Sequence, residues 1–277
     1  MLSQESRELE AKRDRLVSIL RSCGSVCIGY SGGVDSVFLA VTAVDVLGPE
    51  RVLAVTGRSA SYPSVQHDQA LACVDAFGIP HAEAATEEVS DPAYVANPTN
   101  RCYHCKTELW SKLTPLAAAR GLAVVVDGSN ADDLSDHRPG TRAAREHGVR
   151  SPLQEAGLTK ADIRVLSRRR GLPTWDRPAS PCLASRLPYG LAVTPERLRQ
   201  VEVAEAAVRA LGFRTFRVRH HGDAARLEID PEELDRAEER AGALAAAVRR
   251  AGFRRVLLDV EGYRRGALNE LVRLEAS

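Results

Sequence analysis

Residues Ser31-Gly32-Gly33-Val34-Asp35-Ser36 join an apolar run, Val26-Cys27-Ile28-Gly29-Tyr30, to a helical pattern, Val37-Phe38-Leu39-Ala40-Val41. A short strand thus ends in a glycine turn that opens a helix. Such a turn aims backbone N–H groups and the positive end of a helix dipole at one point. The paired glycines Gly32 and Gly33 let backbone approach an anion closely. Ser31 and Ser36 add hydroxyl donors. Asp35 does not suit a bare anion cradle, but it suits Mg²⁺ bridging phosphates. The chemistry expected here is binding of nucleotide phosphates. The spacing is not that of the Walker loop, Gly-x-x-x-x-Gly-Lys-Ser/Thr.

Cys102-Tyr103-His104-Cys105 is the second group suited to chemistry. A two-residue gap lets two sulfurs bind one metal or one cluster. Cys182, within Ser180-Pro181-Cys182-Leu183-Ala184-Ser185-Arg186, has no core-like surroundings. Three such cysteines can ligate a [4Fe–4S] cluster and leave one iron open. Zinc needs a fourth ligand, with His104 nearest, and thiol exchange is a further alternative. Cys23, Cys27 and Cys73 fit the role of small buried hydrophobes.

Asp127-Gly128-Ser129-Asn130-Ala131-Asp132-Asp133 follows a buried strand and can hold Mg²⁺ or orient a ribose; it also reads as a helix cap. Arg217 and Arg219 alternate on a strand, so both share one face. They suit a phosphate or a carboxylate, or equally a solvated strand face. Lys160 opens an amphipathic helix capped by Thr159.

The elements that must position these residues alternate. A helix is expected over 5–22, then strand 26–30, helix 35–47, strand 51–56, helix 64–77, strand 79–84, a polar loop 86–101, helix 103–120 and strand 122–127. This alternation predicts an α/β fold with a parallel sheet covered by helices, and ligands at the carboxyl ends of its strands. A loop rich in Pro, Ser and Gly over 173–190 suggests two domains, 1–189 and 190–277. The second is expected to be a small α+β domain: helix 194–211, strands 213–219 and 224–229, helix 231–250 and strand 253–259.

With 38 basic and 37 acidic residues the net charge is +1, and aromatics are 5%. That balance gives no support for nucleic-acid or membrane-surface binding. The Arg168-Arg169-Arg170 run reads as a solvated helix end. No apolar run approaches a membrane span, and residues 1–21 lack an apolar signal region, so a cytoplasmic protein is expected. Six cysteines then argue for thiol or metal chemistry rather than disulfides.

The Ser31–Ser36 loop resembles the PP-loop of the N-type ATP pyrophosphatases, which cleave ATP between the α and β phosphates. Ser151–Arg164 resembles a Pro-Leu…Lys-x-x-Ile-Arg segment of such enzymes, where the lysine, here Lys160, faces the phosphates. Together with Asp127–Asp133, Arg138-Pro139-Gly140, Ser185-Arg186-Leu187-Pro188-Tyr189-Gly190, Arg217-Val218-Arg219 and Arg226-Leu227-Glu228, nearly the whole chain resembles the LarE family of ATP-dependent sulfur transferases.

The resemblance implies ATP and Mg²⁺ as cofactors. Ser31, Gly32, Gly33, Asp35, Ser36, Asp127 and Gly128 would lie at ATP. The substrate implied is pyridinium-3,5-biscarboxylate mononucleotide, a precursor of the nickel-pincer nucleotide of lactate racemase. Ser185, Arg186, Glu205 and Glu228 would line its pocket, with Arg217 and Arg219 on its phosphate. One branch of the family sacrifices a cysteine, which would align with Pro181 here, one residue before Cys182. The other holds a [4Fe–4S] cluster, and Cys102, Cys105 and Cys182 match it; the open iron would carry an extra sulfide from a sulfide donor. A homo-oligomer is also implied. The competing readings are a tRNA thiolase, an amidating ligase, and a nucleotide sensor with structural zinc.

Overall fold

The computed structural model describes residues 4–134, 139–178 and 180–264. Arg138, within one of the matched segments, lies outside the described residues, as do residues 265–277 of the expected second domain. The chain forms two compact units. Of the described residues, those within 4–88 and 100–180 make the first; those within 89–99 and 181–264 make the second.

The first unit is built on a parallel sheet of β1 (Val26–Gly29), β2 (Val52–Arg58), β3 (His81–Ala85) and β4 (Val124–Val126), in the order β3-β2-β1-β4. The α/β expectation holds. Strands β1 and β2 are apolar almost throughout because helices cover both faces. One core gathers Leu16 and Leu20 of the Gln4–Cys23 helix with Val37, Leu39 and Ala40 of the Val34–Leu47 helix and Ile163. A second gathers Cys27, Val55, Trp110 and Leu113, so the Arg101–Ala119 helix packs on the opposite face. A Cβ on Gly29 would meet the Trp110 ring at 2.7 Å, so this contact requires glycine in β1.

The order of strands places β1 between β2 and β4. Residues that follow these three strands are the glycine turn, the Ser59–Tyr62 turn and the Asp127–Asp133 loop, all at the carboxyl end of the sheet. Backbone pairing continues there through Asp127 N–H to Arg150 O at 2.9 Å.

The second unit carries β5 (Phe216–His221), β6 (Ala224–Ile229) and β7 (Arg255–Leu258), with β5 antiparallel and β7 parallel to β6. The expected helix over 231–250 is divided: a 3-10 turn at Pro231–Glu233 leads into helices Leu234–Glu239 and Ala241–Arg250. The expected loop 86–101 contains a short helix, Pro92–Val95, and joins the second unit at residues 89–99. Its tie is the buried Asn97, whose Nδ2 donates to Pro188 O at 2.8 Å and Leu191 O at 2.9 Å. Residues 181–189 also belong with the second unit. Among the described residues, no helix is long and apolar enough to cross a membrane.

Candidate active site

The glycine turn has the geometry its sequence demands. Gly32 has φ +69°, and a Cβ there would stand 2.5 Å from Ala70 Cβ. Conformation and space both exclude a side chain. Ser36 Oγ lies 3.1 Å from Ser31 Oγ and accepts from Ser31 N–H at 3.2 Å. Gly33, extended, starts the Val34–Leu47 helix without a side-chain cap. The N–H groups of the first turn are therefore left for a ligand. Behind the turn, Tyr62 O–H and Gln66 Nε2 donate to Ser31 O at 3.0 and 2.7 Å.

Asp35 sits in that first turn. Its Oδ2 accepts from Lys160 Nζ at 2.5 Å, while its Oδ1 is buried without a hydrogen-bond partner. A carboxylate oxygen left open beside an anion cradle suits a hard cation such as Mg²⁺. Lys160 is aimed by its own helix start. Its backbone N–H donates to Asp132 Oδ2 at 2.8 Å, and Thr159 and Asp162 form a capping box. Lys12 Nζ pairs with Asp162 at 2.6 Å from the N-terminal helix.

Asp127 is buried and fully engaged: Ser151 Oγ at 2.7 Å, Ser129 N–H at 3.0 Å and Ser129 Oγ at 2.9 Å all donate to it. It braces its loop. Gly128 supplies the close approach, because a Cβ there would lie 3.2 Å from Ser36 N. The structure thus brings Ser31, Gly32, Gly33, Asp35, Ser36, Asp127, Gly128 and Lys160 to one end of the sheet.

Cys102 is exposed and Cys105 half-buried, in the first turn of the Arg101–Ala119 helix. A spacing of three residues puts both on one helix face. Two thiols on one face at a helix start fit two ligands of a metal cluster. Cys182, half-buried, lies in the second unit just before a 3-10 turn at Leu183–Arg186. Within each unit, among the described residues, no three His, Cys, Asp or Glu side chains gather for a metal ion. Cys23, Cys27 and Cys73 are buried as expected, and burial pushes the Cys27 thiol up to about 11.

The second unit assembles the remaining candidates into one buried charge cluster. Arg186 grips Glu205 through two nitrogens at 2.8 and 3.0 Å, and its third reaches Pro181 O and Cys182 O. Arg219 pairs with Glu228 at 2.7 Å and donates to Ser185 O at 2.8 Å. Arg226 adds a second guanidinium to Glu228 at 2.9 Å. Arg217, 8% exposed, stacks on the Tyr263 ring at 4.9 Å. Arg217 and Arg219 do share a face, and it is buried rather than solvated. Asp259 lies 3.5 Å from Arg226 Nε, so four guanidiniums meet three carboxylates. Burial, then the like charge of Arg186, holds the Arg217 guanidinium below its usual range. Arg226 and Tyr263 were missed in the sequence reading of roles; the alternation Arg226-Leu227-Glu228 was the signal for the first.

Residues 9–99 match the family model described as NAD synthase. Over 269 residues the chain is 36% identical to the pyridinium-3,5-bisthiocarboxylic acid mononucleotide synthase of Lactiplantibacillus plantarum, covering 95% of each chain. The chain belongs to the LarE family of PP-loop proteins. It is also 44% identical over 266 residues to an uncharacterised protein of Synechocystis sp., covering 95% of this chain and 99% of the relative. A shorter likeness, 30% over 164 residues and 57% of each chain, is to the NH₃-dependent NAD⁺ synthetase of Chlorobaculum tepidum.

Proposed function

We propose that this chain is an ATP-dependent sulfur transferase. It adenylates a carboxylate of pyridinium-3,5-biscarboxylate mononucleotide and replaces AMP with sulfur. The observation that carries the reading is the open, buried Oδ1 of Asp35 beside Lys160 at an uncapped helix start. The first-turn N–H groups and the Ser31 and Ser36 hydroxyls bind phosphate oxygens. The open Asp35 Oδ1 would hold Mg²⁺, which would supply charge neutralisation for the departing pyrophosphate. Lys160 supplies a second cation there.

A substrate carboxylate oxygen attacks the α-phosphorus, and the bond to the β,γ-pyrophosphate breaks. Sulfide sulfur then attacks the acyl carbon, and AMP leaves with the carboxylate oxygen. The arginine-rich cluster of the second unit binds the mononucleotide's phosphate. Its excess of guanidinium over carboxylate charge, and the depressed basicity of buried Arg217, favour an added anion. Cys102, Cys105 and Cys182 are assigned to a [4Fe–4S] cluster, which when bound supplies the sulfide. The test is nucleotide product analysis. AMP and pyrophosphate, formed only with the pyridinium substrate, are expected; ADP and phosphate would overturn the reading.

A further inference from the structure

Glu88 ends the first of the two segments that make up the first unit, and no motif points to it. It is 3% exposed. Its Oε1 accepts from both Ser59 Oγ, at 2.5 Å, and Ser61 Oγ, at 2.6 Å. The two hydroxyls also lie 2.8 Å apart, and Ser59 Oγ accepts from Ser61 N–H at 3.2 Å. One carboxylate oxygen therefore folds the turn that follows β2. The turn closes with Tyr62 N–H donating to Ser59 O at 3.2 Å. Tyr62 then reaches across the sheet end, and its O–H donates to Ser31 O.

Ser31 is where the phosphate loop begins. Its carbonyl is held by two donors: Tyr62 O–H, from the turn that Glu88 organises, and Gln66 Nε2, from the Ser64–Phe77 helix that follows. Orienting that carbonyl fixes the peptide plane joining Ser31 to Gly32, and so the N–H of Gly32. Gly32 follows with φ +69° and no room for a Cβ beside Ala70, so the loop turns at a residue that must stay glycine. Burying this carboxylate costs desolvation, which the two hydroxyls offset only at Oε1; Oε2 is buried with no hydrogen-bond partner.

We propose that Glu88 is a positioning residue for the phosphate loop, acting through Ser59, Ser61 and Tyr62 on the Ser31 carbonyl. It does not touch ATP. Its loss relaxes the loop and weakens nucleotide binding without removing a catalytic group. The proposal rests on the PP-loop reading above.

The experiment is calorimetric titration of the full chain with Mg·ATP in the absence of the pyridinium substrate. Glu88→Ala should raise the ATP Kd about tenfold, the effect of losing buried hydrogen bonds. Glu88→Gln retains an oxygen for the two hydroxyls and should recover most of the affinity. Tyr62→Phe should weaken ATP in the same direction. Its effect should not add to that of Glu88→Ala, because both act on one carbonyl. Three results would each overturn the proposal: unchanged ATP affinity in a cooperatively folded Glu88→Ala variant, Glu88→Gln as weak as Glu88→Ala, or additive effects in the double variant. Should Glu88→Ala fail to fold, Tyr62→Phe decides alone, and an unchanged Kd overturns the relay. Wild-type protein that binds no Mg·ATP sinks the proposed function itself, and the inference with it.

Discussion

Lys160 Nζ lies 2.5 Å from Asp35 Oδ2, joining residues 125 positions apart. The pair leaves the other Asp35 oxygen buried and open. Lysine thus holds one oxygen in a fixed direction and leaves its twin without a hydrogen-bond partner. Both side chains are mostly buried, at 25% and 20% exposure, so solvent screens the pair less than a surface bridge.

Removing the open oxygen should stop the first chemical step. Asp35→Asn keeps the size of the side chain but loses the charge assigned to Mg²⁺ in the proposed reaction. Pyrophosphate formation is expected to fall by about 10²–10³, the scale for a group that meets developing charge. Lys160→Met should cost less, about tenfold to a hundredfold, because the backbone N–H cradle remains. Steady-state pyrophosphate release checks both, and an active Asp35→Asn enzyme would remove Asp35 from the metal site.

Gly32→Ala tests the turn. A left-handed φ with a methyl 2.5 Å from Ala70 Cβ forces the turn to move. The strain costs about 1–3 kcal/mol. The protein should remain folded at reduced melting temperature while losing ATP binding. Gly24→Ala, at φ +72° with open space around it, should show the strain without the binding loss.

Glu228 holds Arg219 and Arg226 together and is 2% exposed. Glu228→Ala leaves buried guanidinium charge without its partner, which costs about 3–5 kcal/mol. Denaturant unfolding should show that loss. Arg217→Lys should instead spare stability and weaken the mononucleotide, with ATP affinity little changed. If Arg217→Lys weakens ATP alone, the phosphate assignment fails.

Acid should destabilise the fold through its histidines. Burial holds His81, His220 and His221 below their ordinary value of 6.5. The unfolded chain therefore binds protons that the folded chain refuses. The stability from these groups is fully present above pH 6.5 and is lost as pH falls through their folded values. Urea midpoints at pH 7.5 and 5.5 should differ, and His220→Gln should narrow the difference. His220 is the informative site because its Nε2 lies 3.0 Å from Gln200 Oε1, a contact that glutamine can keep.

What was legible in the sequence was contiguous. Ser31–Ser36 and Cys102–Cys105 carry their chemistry within a few residues, and β-strand and helix periods gave the sheet around them. Contacts made by folding were less visible. Lys160 reached the site only by likeness to other PP-loop segments, since nothing local tells a lysine at a helix start what it faces. Glu88 was invisible because a glutamate in a polar stretch reads as solvated; only Ser59 and Ser61 make it a buried anchor. The segment 89–99 was read as a loop of the first domain because its allegiance depends on Asn97 bonding to carbonyls 91 and 94 positions away. The long helix over 231–250 was misread because its alanine-rich pattern persists through Arg240, where the backbone leaves helical geometry at φ −104°, ψ 12°.

The cysteines give the sharpest division between mechanisms. Cys102 and Cys105 share one face of a helix start, and Cys182 lies in the other unit. If all three hold one [4Fe–4S] cluster, each is equally necessary for sulfur transfer and none is needed to form the adenylate. Cys102→Ser, Cys105→Ser and Cys182→Ser should therefore each abolish thiocarboxylate formation while substrate-dependent pyrophosphate release continues. Cys23→Ser and Cys73→Ser lie in the core and should leave sulfur transfer intact, at some cost in stability. Anaerobically prepared protein should contain about four irons and four labile sulfides per chain, falling in each of the three variants. The rival mechanism takes sulfur from Cys182 alone, converting it to dehydroalanine. It requires only Cys182, proceeds without iron, and stops after one sulfur per chain. Mass spectrometry of the protein after reaction separates the two. An unmodified Cys182 with repeated turnover supports the cluster, and loss of the mass of H₂S at Cys182 in an iron-free reaction refutes it.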